Sequence, residues 1–255
     1  GASTRVLNGT LNLDTIYSVG GLTNSGWTNT SLQGRTYNSG WHLVSNPYLA
    51  QLELTQTPAG FDNQIQIWNA NGPYAGTYQP ANIGTDAFVA PFQAFMVHKT
   101  TPGGNSVYNI NGNQRIREVH TFYLQNANRL NIVATNLSNG LLDQTSISFN
   151  SAATNGFDSQ LDAVKIPGVL NRHTIYTTAG GTWMSRNVLH DINVVNTMSV
   201  GFEPGADGSY SGCFNGLNTF DPTVGIYLED KVTRTLFNLR NGSYTFTADS
   251  NEDWN

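Results

Sequence analysis

The sequence predicts an all-β protein, an antiparallel β-sandwich with jelly-roll character, on three observations. Asn-Gly pairs and other turn residues punctuate the chain throughout. Apolar residues at helical spacing never continue for about 12 residues without a Gly or Pro. Short runs of strand-forming residues recur instead, at residues 41–45, 64–68, 94–98, 130–135, 145–149, 174–177, 198–202, 224–229 and 243–247.

Several of these runs alternate between apolar and polar residues. Ile147 and Phe149 fall on one face of their strand, and Ser146 and Ser148 fall on the other. The last run alternates in the same way. Because alternation is typical of a sheet with one dry and one solvated face, we expect the two serines to face water.

Two Asn-Gly pairs are predicted to form tight hairpins. Asn139-Gly140 and Asn241-Gly242 both lie closely between runs of strand-forming residues. Both residue types accept positive φ, which the tightest hairpin turns require. We therefore expect the strands on either side of each pair to be hydrogen-bonded neighbours.

The chain is long enough for one large β domain or two smaller ones. Loop composition at residues 101–105 (Thr-Pro-Gly-Gly-Asn) and around Asn111-Gly112 favours a division there. The prediction is an N-terminal β-sandwich unit at residues 1–110 and a C-terminal β-sandwich unit at residues 111–255, packed together. A single domain with one long loop is the alternative.

Composition narrows the classes of partner. Charged residues make up only 11% of the chain, against about 25% in an ordinary protein. The net charge is −5 and the basic residues are scattered, which disfavours nucleic acid as a partner. No apolar run reaches the roughly 18 residues of a membrane span. A surface built from Asn, Thr, Ser, Gln and Gly favours an extracellular location.

Aromatic residues in polar loops are the first candidate binding site. Exposed rings on such loops stack on sugar faces in many lectin-like modules. The alternative is that these rings cover the ends of the sandwich as part of its core. The candidates are Trp27, Trp68, Tyr74, Tyr78 and Trp183.

A Gly-bearing acidic segment is the second candidate site. Asn155, Asp158 and Asp162, with Asp143 upstream, could supply some of the six to eight oxygen ligands that calcium takes. Their spacing is not that of a helix-loop-helix calcium site. The alternative is a turn at Asn155-Gly156 in which Asp158 accepts backbone N–H groups. Apart from calcium, no cofactor is expected.

The sequence shows no carboxylate pair, reactive cysteine or zinc motif that would indicate a catalytic site. Glu229 and Asp230 are adjacent on a predicted strand, so they point to opposite faces and cannot flank one bond. The only cysteine, Cys213, is interpreted as a buried strand residue. No zinc spacing occurs among the histidines, which are His42, His98, His120, His173 and His190. We therefore predict a protein that is not an enzyme.

Several stretches resemble, in order and spacing, a region of large secreted and surface proteins of the Bacteroidetes. They are residues 40–48 (Gly-Trp-His-Leu-Val-Ser-Asn-Pro-Tyr), 65–69, 90–97, 153–165, 227–231 and 242–248. In that family the region precedes the sorting domain of type IX secretion substrates. The resemblance implies export to the cell surface and an accessory β-rich role, and it implies no reaction. Ser45 stands where the family usually has Gly.

Three functions remain open from the sequence. The first is a non-catalytic structural or adhesive module of a secreted surface protein, whose partners are other domains of that protein or other copies of itself. The second is a carbohydrate-binding module attached to a polysaccharide-degrading enzyme, with glycans as partners. The third, a hydrolase, lacks a visible carboxylate pair or a nucleophile with its base.

Overall fold

A computed structural model describes residues 12–26, 28–31, 35–69, 73–116, 128–169, 171–195 and 197–250. The all-β prediction is confirmed, because these residues form antiparallel sheets and no helix of seven residues or more. The described part of the chain contains no helix with the length and apolar character that crossing a bilayer requires.

The described ranges contain twenty-one strands. The first eleven are β1 (Ile16–Leu22), β2 (Thr28–Ser31), β3 (Arg35–Asn38), β4 (Trp41–Ser45), β5 (Gln51–Glu53), β6 (Phe61–Asn69), β7 (Thr77–Asn82), β8 (Phe88–Val89), β9 (Ala94–Lys99), β10 (Ser106–Asn111) and β11 (Arg115–Ile116). The remainder are β12 (Leu130–Asn136), β13 (Leu142–Phe149), β14 (Ala163–Val164), β15 (Thr174–Ala179), β16 (Thr182–Leu189), β17 (Val200–Glu203), β18 (Gly208–Asn215), β19 (Tyr227–Asp230), β20 (Thr235–Asn238) and β21 (Tyr244–Ala248). Short 3₁₀ turns lie at Gly112–Gln114, Leu217–Thr219 and Leu239–Asn241. Each predicted run overlaps one of these strands.

The chain divides into two compact units. The first contains the described residues up to 65 together with 81–116, and the second contains residues 66–69 and 73–80 together with those from 128 onward. This differs in two places from the predicted division at residue 110. Strand β11 pairs with β5, so residues 111–116 belong to the first unit. The hairpin of β6 and β7 starts and ends in the first unit, while its tip belongs to the second.

The first unit is built from small antiparallel sheets. They pair β1 with β10, β2 with β3, and β5 with both β11 and β8, and a further sheet has the order β4-β9-β6-β7. Its core consists of fully buried apolar and aromatic side chains, among them Tyr48, Leu52, Phe95, Tyr108 and Ile110.

Asn46, directly before Pro47, organises the loops beside that core. Its side chain is 1% exposed. Its Nδ2 donates to the carbonyls of Ala50, Val89 and Ala90 at 2.8, 3.2 and 3.0 Å, and its Oδ1 accepts the N–H of Tyr48 at 2.9 Å. The predicted turn after β4 therefore rests on a buried amide that satisfies backbone groups of two loops.

The second unit contains one large sheet and one hairpin. The sheet has the order β17-β15-β16-β13-β12-β18-β21, with β14 also paired to β16. All these pairs are antiparallel except β13 with β16. A core cluster that includes Leu130, Ile132, Ile147 and Leu189 packs on this sheet. The separate hairpin pairs β19 with β20.

One of the two predicted hairpins forms. Gly140 has φ of 69°, its N–H donates to the carbonyl of Asn136, and β12 and β13 pair across the turn. The prediction for Asn241-Gly242 is wrong, because the strands on either side, β20 and β21, belong to different sheets. There the pair ends a 3₁₀ turn whose Asn238 side chain accepts the N–H of Arg240.

The expected solvated face of β13 is also buried. Ser146 and Ser148 are only 6% and 8% exposed. Strand β13 is internal to the sheet, and on its even-numbered face the Gln144 amide donates to Gln79 of β7. The alternation holds in β21, where Tyr244 and Phe246 are half-buried and the two threonines between and after them are exposed.

Candidate functional site

Two of the predicted aromatic residues come together on the β6–β7 hairpin. Trp68 on β6 and Tyr78 on β7 meet edge to face, with ring centroids 4.9 Å apart. Trp68 remains 39% exposed. Tyr74 lies in the turn, where its carbonyl accepts the hydroxyl of Thr77 at 2.7 Å. Trp27 lies outside the described residues.

Trp183 belongs to a second aromatic arrangement, on β15 and β16. Its ring stacks on Tyr176 at a centroid distance of 3.9 Å and an interplanar angle of 12°. Gly201 on β17 lies beneath Tyr176, and a Cβ atom there would come within 2.3 Å of the ring. The Tyr176 hydroxyl donates to Glu203 at 3.1 Å. Sequence reasoning missed Tyr176, although pairing outward from the turn at residues 180–181 places it diagonal to Trp183.

The acidic segment uses its carboxylates to hold its own backbone. Asp158 accepts the N–H and hydroxyl of Thr154 at 2.6 and 3.0 Å. Asp162 is fully buried and accepts the N–H groups of Asp158 and Val188, each at 2.7 Å. Desolvation raises the pKa of Asp162 to about 6, although those two backbone donors lower it.

Asn155 lies apart from these two carboxylates in its bonding. Its Oδ1 accepts the N–H of His190 at 3.5 Å, a long contact. Within the described ranges, no three His, Cys, Asp or Glu side chains are grouped so that they could hold a metal ion. Asp158 accepts the backbone N–H of Thr154, as expected for the local turn that is the alternative to a calcium site.

A small polar pocket of about 210 Å³ lies beside this segment. Asn150, Ser151, His190 and Asp191 line part of it. His190 Nδ1 lies 3.0 Å from the carbonyl of Ala153, and Asp191 accepts a backbone N–H two residues on. Both ionisable side chains are therefore engaged locally, and the pocket can offer polar contacts to a ligand.

Asp143, which the sequence grouped with the acidic segment, instead forms a buried ion pair. Its Oδ1 lies 2.7 Å from Lys165 Nζ, and the two side chains are 1% and 2% exposed. Its Oδ2 accepts the N–H of Ile175 at 2.8 Å, and Lys165 also donates to the carbonyl of Gln144 at 2.9 Å. The pair links strands β13 and β15 to the segment after β14.

Two further basic side chains of the second unit, Arg172 and His173, are also buried. Arg172 donates to the carbonyls of Pro73 and Leu142 at 3.2 and 2.7 Å, and His173 Nε2 lies 3.1 Å from the carbonyl of Ala134. Desolvation lowers the pKa of both Arg172 and His173. These groups bind the second unit together, a role that sequence periodicity does not reveal.

The adjacent carboxylates Glu229 and Asp230 diverge, as predicted. Glu229 is exposed on β19. Asp230 accepts the N–H groups of Val232 and Thr233 and the hydroxyl of Tyr244, the last at 2.7 Å. Hydrogen bonds from these groups outweigh desolvation and lower the pKa of Asp230.

The hairpin of β19 and β20 carries exposed apolar side chains that sequence reasoning did not select. Val224, Tyr227, Val232 and Leu236, here called the hairpin surface, are 41%, 54%, 69% and 67% exposed. On the opposite face of the hairpin, Leu228 and Phe237 lie across from each other and pack on the core cluster. Side chains alternate along a strand, so Tyr227 and Leu236 point away from the core when Leu228 and Phe237 pack against it.

Cys213 lies on β18, as predicted, but it is half-buried and not buried as expected. Its Sγ donates to the Ser243 hydroxyl at 3.5 Å. The thiol therefore contributes a weak polar contact between β18 and the start of β21.

The profile of a family described as a domain of unknown function, DUF8693, matches residues 55–255. No curated protein and no solved structure matches the chain. The matched stretch begins after the Asn46 turn. It contains the Asp143–Lys165 pair, both aromatic arrangements and the whole hairpin surface.

Proposed function

The chain belongs to the DUF8693 family, and we propose that it serves as a non-catalytic structural or adhesive module of a secreted bacterial surface protein. It acts through protein–protein contacts, with other domains of that protein or with other copies of itself. The resemblance of its motifs to secreted Bacteroidetes proteins supports export by type IX secretion and a place at the cell surface.

The hairpin surface is the observation that carries this proposal. Side chains as large as Tyr227 and Leu236 are more than half exposed on a two-stranded hairpin. Exposed clusters of apolar side chains on folded proteins mark interaction sites more often than scattered single residues do. Tyr is moreover a preferred anchor in protein interfaces.

The ionisable side chains inside the fold support a structural role. Lys165 and Asp143 neutralise each other, and His98 Nδ1 lies 2.8 Å from Asp62 in the first unit. Asp162 binds backbone N–H groups. These groups are committed to holding strands and loops, whereas a reaction centre needs them aimed at a substrate.

Homotypic binding tests the proposal. The chain is immobilised and its own binding from solution is measured by surface plasmon resonance. We expect reversible binding that the double substitution Tyr227→Ser and Leu236→Ser weakens at least about tenfold, since each buried apolar anchor contributes on the order of 1–2 kcal/mol. Leu43→Ser, the same kind of change at a 67% exposed side chain on β4 of the first unit, is the matched control and should leave binding unchanged.

Unchanged melting temperatures in both variants would show that the fold is intact. Binding that survives the double substitution would remove the hairpin surface from the proposal. Absence of any binding between wild-type copies would count against self-association altogether.

A carbohydrate-binding module is the alternative, and the aromatic arrangements favour it. Trp68 is 39% exposed beside Tyr78, and a stacked pair such as Tyr176 and Trp183 offers a flat apolar surface. Retention of the chain on cellulose, chitin or another polysaccharide, lost in Trp68→Ala at an unchanged melting temperature, would establish this alternative. Retention on none of the polysaccharides would exclude it for that panel.

A further inference from the structure

Strand β21 is an edge of the large sheet. It pairs with β18 on one side, and no other strand in the described ranges pairs with its other side. Its five residues, Tyr-Thr-Phe-Thr-Ala, contain no charge, no Pro and no register shift. Edge strands are usually protected by such features, because their free N–H and C=O groups can pair with another chain.

The hydrogen-bond pattern shows which backbone groups face outward. The carbonyl of Ser209 on β18 accepts the N–H of Leu137, so Ser209 directs its backbone groups toward β12. Its neighbour Tyr210 therefore directs its groups toward β21, where its partner is Phe246. By the same alternation, Thr245 and Thr247 present their N–H and C=O groups to the open edge.

The hydrogen bonds of β12 lead independently to the same assignment of the backbone groups of Tyr210. The N–H of Asn136 donates to Leu141, on the side of β13. Asn136 faces Tyr210 across β12 and β18, and this pair cannot then exchange hydrogen bonds. Tyr210 is thus left free to bond to Phe246 on the other side.

The opposite edge of the sheet is protected. Strand β17 ends at Glu203, and Pro204, which has no N–H, follows directly. Tyr176 also lies over Gly201 and bonds to Glu203. The contrast points to β21 as the edge that pairs with a further strand.

We propose that β21 pairs with β21 of a second copy of this chain, antiparallel and about a two-fold axis through Phe246. In this register Thr245 of each copy faces Thr247 of the other, and the two residues exchange both backbone hydrogen bonds. Four hydrogen bonds then join the copies and extend the sheet across the dimer. The inference rests on the proposed function and specifies its partner and its contact.

The side chains of β21 suit this self-pairing. Thr245 and Thr247 are exposed on one face, where cross-strand threonine pairs are favourable. On the other face, Phe246 meets its own copy and Tyr244 meets Ala248. No like charges face each other within the strand, so the register carries no electrostatic penalty of its own.

The hairpin of β19 and β20 lies beside the same edge, which it contacts with the face opposite to Tyr227 and Leu236. The Tyr244 hydroxyl donates to Asp230, and the Tyr244 ring lies 5.3 Å from that of Phe237, so β19 and β20 adjoin the start of β21. Val232, in the turn between those strands, is 69% exposed. Apolar side chains at this position can add area to a contact that backbone bonds alone would make weak.

Sedimentation of the intact chain over a wide range of concentration tests the pairing. Wild type should form a reversible dimer. Thr247→Pro removes an outward N–H from each copy, and hence two of the four hydrogen bonds, without touching the ladder to β18. It should weaken dimerisation at least about tenfold. Thr247→Ala keeps the N–H and should dimerise within about threefold of wild type.

Circular dichroism should show the same melting temperature for both variants at concentrations where each is monomeric. A dimer that persists in Thr247→Pro would overturn the edge pairing and leave the proposed function standing, because the copies would then associate elsewhere. A wild-type chain that stays monomeric throughout would overturn both the pairing and self-association.

Discussion

Removing the charge of Lys165 while keeping its bulk should strongly destabilise the second unit. In Lys165→Met, the Asp143 carboxylate stays 1% exposed and loses the ammonium group that lies 2.7 Å away. At that distance and an effective dielectric constant of about 20, the pair attracts with roughly 6 kcal/mol, most of which offsets the desolvation of the two charges.

The variant keeps the desolvation cost of Asp143 and forfeits the attraction. We therefore expect the free energy of unfolding to fall by about 3–5 kcal/mol. For a unit of this size, that corresponds to a melting temperature lower by about 10 °C. Urea unfolding followed by tryptophan fluorescence measures the loss, since Trp183 lies in the same unit.

Two comparisons isolate the cause. Lys231→Met makes the same chemical change at an exposed lysine and should alter stability by no more than about 0.5 kcal/mol. Adding Asp143→Asn to Lys165→Met removes the stranded charge but keeps an oxygen for the N–H of Ile175, and should recover about 1–3 kcal/mol. A loss below about 1 kcal/mol in the single variant, or no recovery in the double, would refute the reasoning.

Three further predictions follow from single side chains. Because burial raises the pKa of Asp162 from 3.8 to about 6, its contribution to stability is fully present below pH 3.8 and is lost as the pH rises through 6. The free energy of unfolding, measured with urea, should therefore fall by up to about 3 kcal/mol between acid and neutral pH, and Asp162→Asn should flatten that dependence; an unchanged profile would contradict it. Asn46→Ala removes the hydrogen bonds of the amide to the N–H of Tyr48 and to three carbonyls, of which that of Ala90 keeps another donor, the N–H of Gln93; it should cost about 2–4 kcal/mol by calorimetry of the chain, a loss under about 1 kcal/mol being evidence against the role of the amide. Gly201→Ala should displace Tyr176 from Trp183 and change the near-ultraviolet circular dichroism, whereas Gly156→Ala, whose Cβ would meet nothing closer than 3.7 Å, should not; equal spectra for the two would contradict the stack.

Local signals in the sequence predicted strands well where turn residues bound them tightly. Strand β4 was predicted to the residue, because Gly40 precedes it and Asn46-Pro47 ends it. The Asn139-Gly140 hairpin formed for the same reason. Asn241-Gly242 failed because an Asn-Gly pair marks where the chain bends, while the choice of partner strand depends on packing elsewhere.

Contacts between distant segments account for the other differences. Ser146 and Ser148 are buried on a face of β13 where Gln144 bonds to Gln79, 65 residues earlier in the chain. Asp143 and Lys165 lie on separate elements, and periodicity carries no information about which charges will meet. The exposure of Tyr227 and Leu236 likewise depends on which face of the β19–β20 hairpin packs against the core.

The interleaved course of the polypeptide has a consequence for its biosynthesis. Residues 66–80 emerge from the ribosome well before the strands of their own unit, since β12 begins only at Leu130. Until then the β6–β7 tip lacks the other strands of the second unit, whereas the strands of the first unit, which end at β11, can already pair. A gene cut at residue 110 would deprive the downstream fragment of Gln66 and Gln79, so the two halves should fold poorly when expressed apart and recover when they are made together.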